Sequence, residues 1–333
     1  MSTLRDVAQH AGVSVATASR VARGSLAVKP DTRERVERSM RELLYVPPGR
    51  LPATGVIGLL LPNFENPIFP TIAQALEART SATGYASILC TTGSAAFREV
   101  EYVHMLLDRQ VDGMIFVSCE MTNLSGEHDH YARLVDEGAR IVFVNGALNT
   151  LDIPSVGVDE RAAAELATQH LLNLGHTRIA FASGPEYYLP ARQKAVGWEG
   201  ALLSAGIARD GLLAHEDFTV EGGFRVGRKL LRLPDRPTGI ICSNDLMAIG
   251  ILQAAAEAGL SVPEELSVVG FDGIEAAAWT NPPLTTIEQP IGEIARTAVD
   301  SLRVLIEEPR SLPNSYFRPN LRVRSSTGPA PKP

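Results

Sequence analysis

The chain has 333 residues, of which 45% are hydrophobic and 21% charged, a composition that excludes a disordered, fibrous or miniature protein and accommodates two or three domains. No apolar run approaches the roughly 20 residues that span a bilayer, and the opening MSTLRDVAQHAG lacks a basic-then-apolar signal pattern, so a cytoplasmic protein without a membrane partner is expected. The net charge of -7 is unevenly distributed: residues 1 to 55 carry nine Lys+Arg against five Asp+Glu, a balance of +4 that leaves -11 for the remainder.

A basic head on an acidic body predicts that the head alone faces a polyanion, the body being repelled from it. Within the head, Thr3 is placed to cap a helix whose third position is Asp6, and Gly12 to end it in a left-handed conformation. Leu4, Val7, Ala8 and Ala11 then share one face. Ser14 opens a second helix over Val15 to Arg23, closed by Gly24. Pro30 suits the first turn of a third helix, whose stripe of Val36, Met40, Leu43 and Leu44 covers the other two.

Two short helices joined by a tight Gly-containing turn form a helix-turn-helix. Ala18 and Val21 of the second helix face inward, which turns Val15, Ala16 and Arg20 outward to where a recognition helix meets base edges in the major groove. Arg20 has the fork that grips guanine, and Ser14, Thr17 and Ser19 have hydroxyls that reach phosphates. Thr3, Arg23 and Thr32 complete the set of head residues expected at the DNA.

The strings TLRDVAQHAGVSVATASRVARG and VKPDTRERVERSMRELLYVPP are in register with, and resemble, the head of the LacI/GalR bacterial transcription regulators from Thr3 to Pro47. The resemblance implies a regulator, in particular a repressor, that binds operator DNA as a homodimer under the control of a small polar effector such as a sugar. Three positions depart from that pattern: Ala18 stands where valine is frequent, Arg23 where Asn precedes the glycine, and Lys29 where a capping Ser is usual. The family's hinge helix, with its minor-groove leucine, is also missing its usual sequence. After Tyr45-Val46-Pro47 come Pro48, Gly49, Arg50, Leu51 and Pro52, which read as an extended linker, with Leu51 as the one available wedge.

From Val56 onward, the apolar runs VIGLLLP, ASILCTT, GMIFVS, RIVFVN, RIAFAS, GIICSN and LSVVGFD alternate with amphipathic stretches such as Pro70 to Thr83, Arg98 to Arg109 and Ala162 to Leu174. The alternation predicts an α/β core of parallel sheets flanked by helices. The resemblance makes it two periplasmic-binding-protein-like lobes with crossovers near Asp159, Gln289 and Asn314. The expected domains are a head at 1–46, a hinge at 47–55 and a core at 56–327. Within the core, the first lobe takes 56–159 and 290–314, the second 160–289 and 315–327, and 328–333 is left as a flexible tail. The C-terminal stretch from Ser325 to Pro333 has no leucine heptad, so a dimer is expected rather than a larger bundle.

Ligands of open α/β sheets bind beyond the carboxyl ends of strands. The resemblance places effector contacts there on Asn66, Phe69, Ser118, Asn145, Lys194, Phe218, Asn244, Asp272 and Gln289, with Lys194 standing where the family has Arg. Asn244, Asp245 and Asn66 read equally well as turn or cap residues. No Gly-x-Gly-x-x-Gly follows the first strand, no Walker loop occurs, and Gly93-Ser94 lacks nucleophile-elbow spacing, so neither catalysis nor a cofactor is expected. Glu127-His128-Asp129-His130 reads as a solvated loop, and Cys90, Cys119 and Cys242 as reduced core thiols, not a metal or disulfide framework.

The hinge sequence generates a prediction about the operator. With prolines opposing a hinge helix, no wedge unstacks the central step and the bound DNA stays nearly straight. Circular-permutation gel shifts should show little bending. A sharp central bend that disappears in Leu51→Ala would show that a wedge forms despite Pro48 and Pro52.

Overall fold

The structure, a computed structural model, describes residues 3–22, 25, 27–43, 45, 55–93, 96–148, 150–208 and 210–332. Arg23, Gly24, Leu44, Ser94 and the hinge residues 47–54, Leu51 among them, lie outside the described residues. The chain divides into two compact units, Met1–Gly55 with Ser81–Ala86, and Val56–Thr80 with Ser87–Pro333.

The head comprises α1 (Leu4–His10), α2 (Val15–Ala22) and α3 (Pro30–Glu42). Thr3 and Asp6 form a reciprocal capping box: the Thr3 hydroxyl accepts from the Asp6 amide at 3.3 Å and the Asp6 carboxylate accepts from the Thr3 amide at 2.6 Å. Gly12 turns the chain at φ +63°, a conformation that costs glycine nothing. The Ser14 side chain then accepts from the Thr17 amide at 3.2 Å to start α2. Val7, Ala8, Ala11, Ala18, Val21 and Val36 bury together as a small core. Lys29 caps α3 without a side-chain hydrogen bond, the consequence of losing the usual serine. A bond between His10 Nδ1 and Ser39 Oγ at 3.1 Å ties α1 to α3.

The first lobe is built from β1 (Gly55–Leu61), α4 (Ile68–Ala82), β2 (Tyr85–Thr91), α5 (Ala96–Asp108), β3 (Gly113–Val117), α6 (Asp129–Asp136), β4 (Ile141–Val144) and β5 (Ser155–Val158). The second takes α7 (Glu160–Asn173), β6 (Ile179–Ser183), α8 (Leu189–Ser204), β7 (Leu213–His215), α9 (Val220–Leu231), β8 (Gly239–Cys242), α10 (Asp245–Glu257), β9 (Ser267–Asp272) and β10 (Thr285–Glu288). The chain ends with α11 (Ile291–Glu307), β11 (Ser315–Phe317) and β12 (Asn320–Arg322).

The strands form two six-stranded sheets, ordered β11-β5-β4-β3-β1-β2 and β12-β10-β9-β8-β6-β7. Strands β3, β4 and β8 are buried along their whole length, which is why their sequences are continuous apolar runs and not alternating ones. Helices α9 and α10 approach so closely that a Cβ on Gly250 would lie 2.0 Å from the Val220 carbonyl oxygen, so only glycine fits. Cys90, Cys119 and Cys242 are free and buried.

The chain passes between sheets after β5, after β10 and again between β11 and β12. The third crossing therefore falls beyond Phe317 and not at Asn314. Residues 315–317 pair in parallel with β5, and the Asn314 side chain accepts from the Ser155 amide at 2.8 Å, fixing this segment to the first lobe. The C-terminal segment also differs from the expected flexible tail. The Gly328 amide donates to Ser267 Oγ at 3.0 Å and the Ala330 amide to the Leu174 carbonyl at 2.9 Å. His176, fully enclosed, bonds Thr238 Oγ1 through Nδ1 at 2.9 Å and the Gly328 carbonyl through Nε2 at 3.1 Å, and burial lowers its pKa.

The strap is anchored at Ser326, whose buried hydroxyl donates to the Val268 carbonyl at 2.6 Å and accepts from the Thr285 amide at 2.8 Å. Ser326→Ala leaves that amide unpaired in the interior and should destabilise the protein by about 1–3 kcal/mol. Denaturant titration checks this, and an unchanged midpoint would show that the strap contributes nothing.

Candidate nucleic-acid interface and ligand cleft

Helix α2 has two unlike faces. Ala18 and Val21 are buried, whereas Val15 is 44% exposed and Ala16 and Arg20 are exposed beside it. Among the described residues Arg20 has no carboxylate partner, while Arg33 and Arg38 sit 3.9 Å and 3.3 Å from Glu37 and Glu34. Ser14 Oγ and Thr17 Oγ1 bond each other at 2.9 Å, and the Thr3 hydroxyl donates to Asp6 at 2.8 Å. Ser19 is half-buried on α2 and Thr32 half-buried in the first turn of α3. The geometry thus presents one guanidinium and two small apolar side chains on a convex surface, a shape and chemistry that suit a major groove. Arg23 and Leu51 lie outside the described residues.

In the core, the carboxyl ends of the strands converge. Ser118, Asn145 and Asp272 end β3, β4 and β9 at φ +47°, +59° and +114°, left-handed values that a non-glycine residue adopts at a cost and that cluster at functional sites. Asp272 is the centre. Its carboxylate accepts from Asn66 Nδ2 of the first lobe at 3.1 Å and from Gln289 Nε2, at the crossover after β10, at 2.8 Å. Gln289 Oε1 in turn accepts from Asn145 Nδ2 at 3.4 Å. Four predicted residues thus form one hydrogen-bonded chain across both lobes. Ser118 joins them through strand register, its amide donating to the Val144 carbonyl next to Asn145 at 2.9 Å.

Lys194, on α8, is only 5% exposed. Its Nζ lies 3.9 Å over the Phe271 ring and 2.9 Å from Glu160 Oε2, an ionic contact without directed hydrogen-bond geometry. Phe69 is half-buried behind Asn66, whose carbonyl accepts from the Phe69 amide at 3.1 Å. Phe218, also half-buried, packs 5.8 Å from Tyr188 and so close to Gly184 that no side chain would fit there.

Asn244, also an expected ligand contact, takes part in the fold. It is the N-cap of α10, its Oδ1 accepting from the Met247 amide at 2.8 Å and its Nδ2 donating to the Phe218 carbonyl at 3.1 Å, so both ends of the amide serve the fold. Asp245 is buried as well, held by Thr286 Oγ1 at 2.6 Å and the Ile274 amide at 2.8 Å. Burial and the nearby Asp272 charge raise its pKa well above the usual carboxylate range. The His-containing segment is not a solvated loop: His130 Nε2 lies 2.9 Å from the buried Glu99 carboxylate, which also accepts from the Tyr131 hydroxyl. Among the described residues no group of three or more His, Cys, Asp or Glu is placed to hold a metal ion.

Glu160 is the site residue that local sequence did not reveal. It follows Asp159 at the start of α7, and nothing in the sequence tells which of two adjacent acids is exposed and which is enclosed with Lys194. Burial raises the Glu160 pKa, and the Lys194 charge opposes that rise. Burial likewise pushes the Asp272 carboxyl up to about 6, against the pull of Lys194, Asn66 and Gln289.

A helix-turn-helix with an exposed recognition face, joined to a two-lobed α/β core with polar strand ends, defines a ligand-responsive DNA-binding regulator. Residues 3–48 match the model of the bacterial regulatory proteins of the lacI family, and residues 168–327 match a periplasmic binding protein-like domain. An uncharacterized HTH-type transcriptional regulator in the aml 5′ region of Streptomyces limosus is 41% identical over 97% of this chain and 94% of its own. The ribose operon repressor of Escherichia coli K12 is 34% identical over 93% and 94%. A solved lac repressor dimer bound to operator and an anti-inducer superposes with a TM-score of 0.74 at 30% identity, covering 98% of this chain and 99% of that one. A complex of the regulator CelR with cellobiose gives the same score and identity over 98% and 100%. The chain belongs to the LacI family and is a DNA-binding transcriptional regulator.

The elevated Asp272 pKa has a definite consequence for stability. At pH values between the unfolded carboxylate's 3.8 and about 6 the folded state holds a proton that the unfolded state releases, so this group's stabilising contribution is full at low pH and is lost as pH rises through 6. The stability of the wild type relative to Asp272→Asn should therefore fall between about pH 4 and about pH 6.5 and level off above that. A difference that stays flat across this window in paired thermal melts would contradict the buried-carboxylate description.

Proposed function

We propose that the protein is a cytoplasmic homodimeric repressor that reads a roughly palindromic operator through two copies of α2 and is controlled by a sugar or related polar metabolite held between its lobes. The observation that carries the reading is the pairing of an exposed Arg20 face on α2 with the Asn66–Asp272–Gln289–Asn145 chain in the core. One short recognition helix reads only a few base pairs, so two heads supply useful specificity. Val15, Ala16 and Arg20 meet base edges, and Thr3, Ser14, Thr17, Ser19, Arg23 and Thr32 meet the backbone, with residues 47–55 as the linker. Amides and carboxylates at the strand ends take ligand hydroxyls, while Phe69 and Phe218 offer apolar faces to a ring. The cellobiose complex of CelR and a LacI family regulator from Enterococcus faecium with bound ribose support that ligand class. The protein acts by binding and not by turnover.

A binding site selected from random duplexes tests the head and core separately. Arg20→Ala should cost about 1–3 kcal/mol at one operator position per half-site and relax base preference there. Asp272→Ala should weaken the sugar response while leaving operator affinity of the ligand-free protein intact. An unchanged ratio of selected to scrambled binding in Arg20→Ala, or equal loss of both functions in folded Asp272→Ala, would overturn the assignment.

A further inference from the structure

Lys194 is a buried cation at the ligand cleft, and a cation there is the natural grip for an anionic ligand. In this chain it already has a counter-ion. Glu160 Oε2 lies 2.9 Å from Lys194 Nζ, with both side chains more than nine-tenths buried, and the Phe271 ring covers the ammonium at 3.9 Å. The Asp272 carboxylate, next in sequence to Phe271, lies close enough to feel the charges of both Lys194 and Glu160. Two carboxylates therefore face one ammonium.

Other charged groups nearby do not reverse that balance. Asp159, adjacent to Glu160, adds a further negative charge and caps α7 by accepting from the Ala162 amide at 2.9 Å. Arg161 pairs with Glu165 at 2.9 Å on the exposed side of α7. Arg192 is exposed on α8, about half a helical turn away from the enclosed face of Ala191, Lys194 and Trp198, and lines with Asp159, Glu160 and Arg161 a cavity whose described lining reaches neither Lys194 nor Asp272.

We propose that Glu160 is a specificity-determining positioning residue: by neutralising Lys194 it makes the cleft select neutral, hydroxyl-rich ligands and reject their phosphorylated or carboxylated counterparts. The inference rests on the reading of the cleft as a polyol site. A phosphate entering beside Asp272 finds no uncompensated cation and meets repulsion in a poorly solvated space, where charge interactions are strong. Hydroxyl groups meet no such penalty. Among the described residues Asn145 Oδ1 is enclosed without a hydrogen-bond partner, so it retains capacity to accept from a ligand hydroxyl.

The test is isothermal titration of the full chain with matched pairs: ribose and ribose 5-phosphate, maltose and maltose 6-phosphate, cellobiose and cellobiose 6-phosphate. The wild type should bind the neutral member of a pair at least about tenfold more tightly than the phosphate. Glu160→Gln removes one of the two carboxylates facing the ammonium and should shift that ratio about tenfold toward the phosphate, and Glu160→Asp should restore it. Thermal melts verify folding, and if Glu160→Gln does not fold, the wild-type ratio and that of Glu160→Asp decide the matter. A wild type that binds a phosphate as tightly as its neutral parent overturns the proposal, as does a Glu160→Gln variant that weakens both members equally. If no member of any pair binds, the polyol reading itself fails and the proposal fails with it.

Discussion

The Asp272 carboxylate organises the core. It is 7% exposed, ends β9 in a left-handed conformation, and accepts hydrogen bonds from one residue of the first lobe and one at a crossover. A buried carboxylate is costly unless donors surround it, and here the donors come from segments far apart in sequence. The same atoms that make Asp272 tolerable therefore also bridge the lobes. A polyol bound at this carboxylate would compete for them, replacing amide donors with hydroxyls, and would so link ligand occupancy to lobe arrangement through one group. Such linkage requires only that the ligand favour one arrangement over another.

The surrounding structure fits this constraint. Parallel strands buried on both faces deliver their carboxyl ends to one side of each sheet, and the crossovers align the two sides. Gly250 lets α9 and α10 pack closely, and the buried C-terminal strap closes the far side of the second lobe through Ser326 and His176. Rigid lobes with a polar seam are the mechanical requirement for transmitting a binding event. The head meets a different requirement, since the caps of α1 and α2 are satisfied internally and Arg20 on α2, without a carboxylate partner among the described residues, is exposed to an external partner.

Much of this was legible in the sequence because it is local. The Thr3-Asp6 box, Gly12, Ser14 and the inward Ala18 and Val21 all follow from spacing within one helix turn. Long apolar runs likewise marked the central strands. The edge strands β7, β11 and β12, three residues each, are too short for periodicity to register, and β5, SVGV, is barely longer. Ser326 looked like part of a featureless tail because its partners, Val268 and Thr285, are remote in sequence. Asn244 was open in the sequence, since a polar residue after a strand suits both a ligand and a helix cap, and the Met247 amide and Phe218 carbonyl show the cap. Glu160 required knowing that Lys194, more than thirty positions away, is enclosed with it.

The Asn66–Asp272 bond, beside the 2.7 Å bond from the Leu124 amide to the Tyr187 carbonyl, sets the spacing of the lobes. The native cysteines are buried and free, so spin labels can be placed at Gln74→Cys on α4 and Lys229→Cys on α9, both exposed, in opposite lobes. Pulsed electron-electron resonance on the ligand-free protein should show the inter-lobe distances lengthen and broaden when Asn66→Ala is introduced. A distribution identical to that of the labelled parent would contradict the claim.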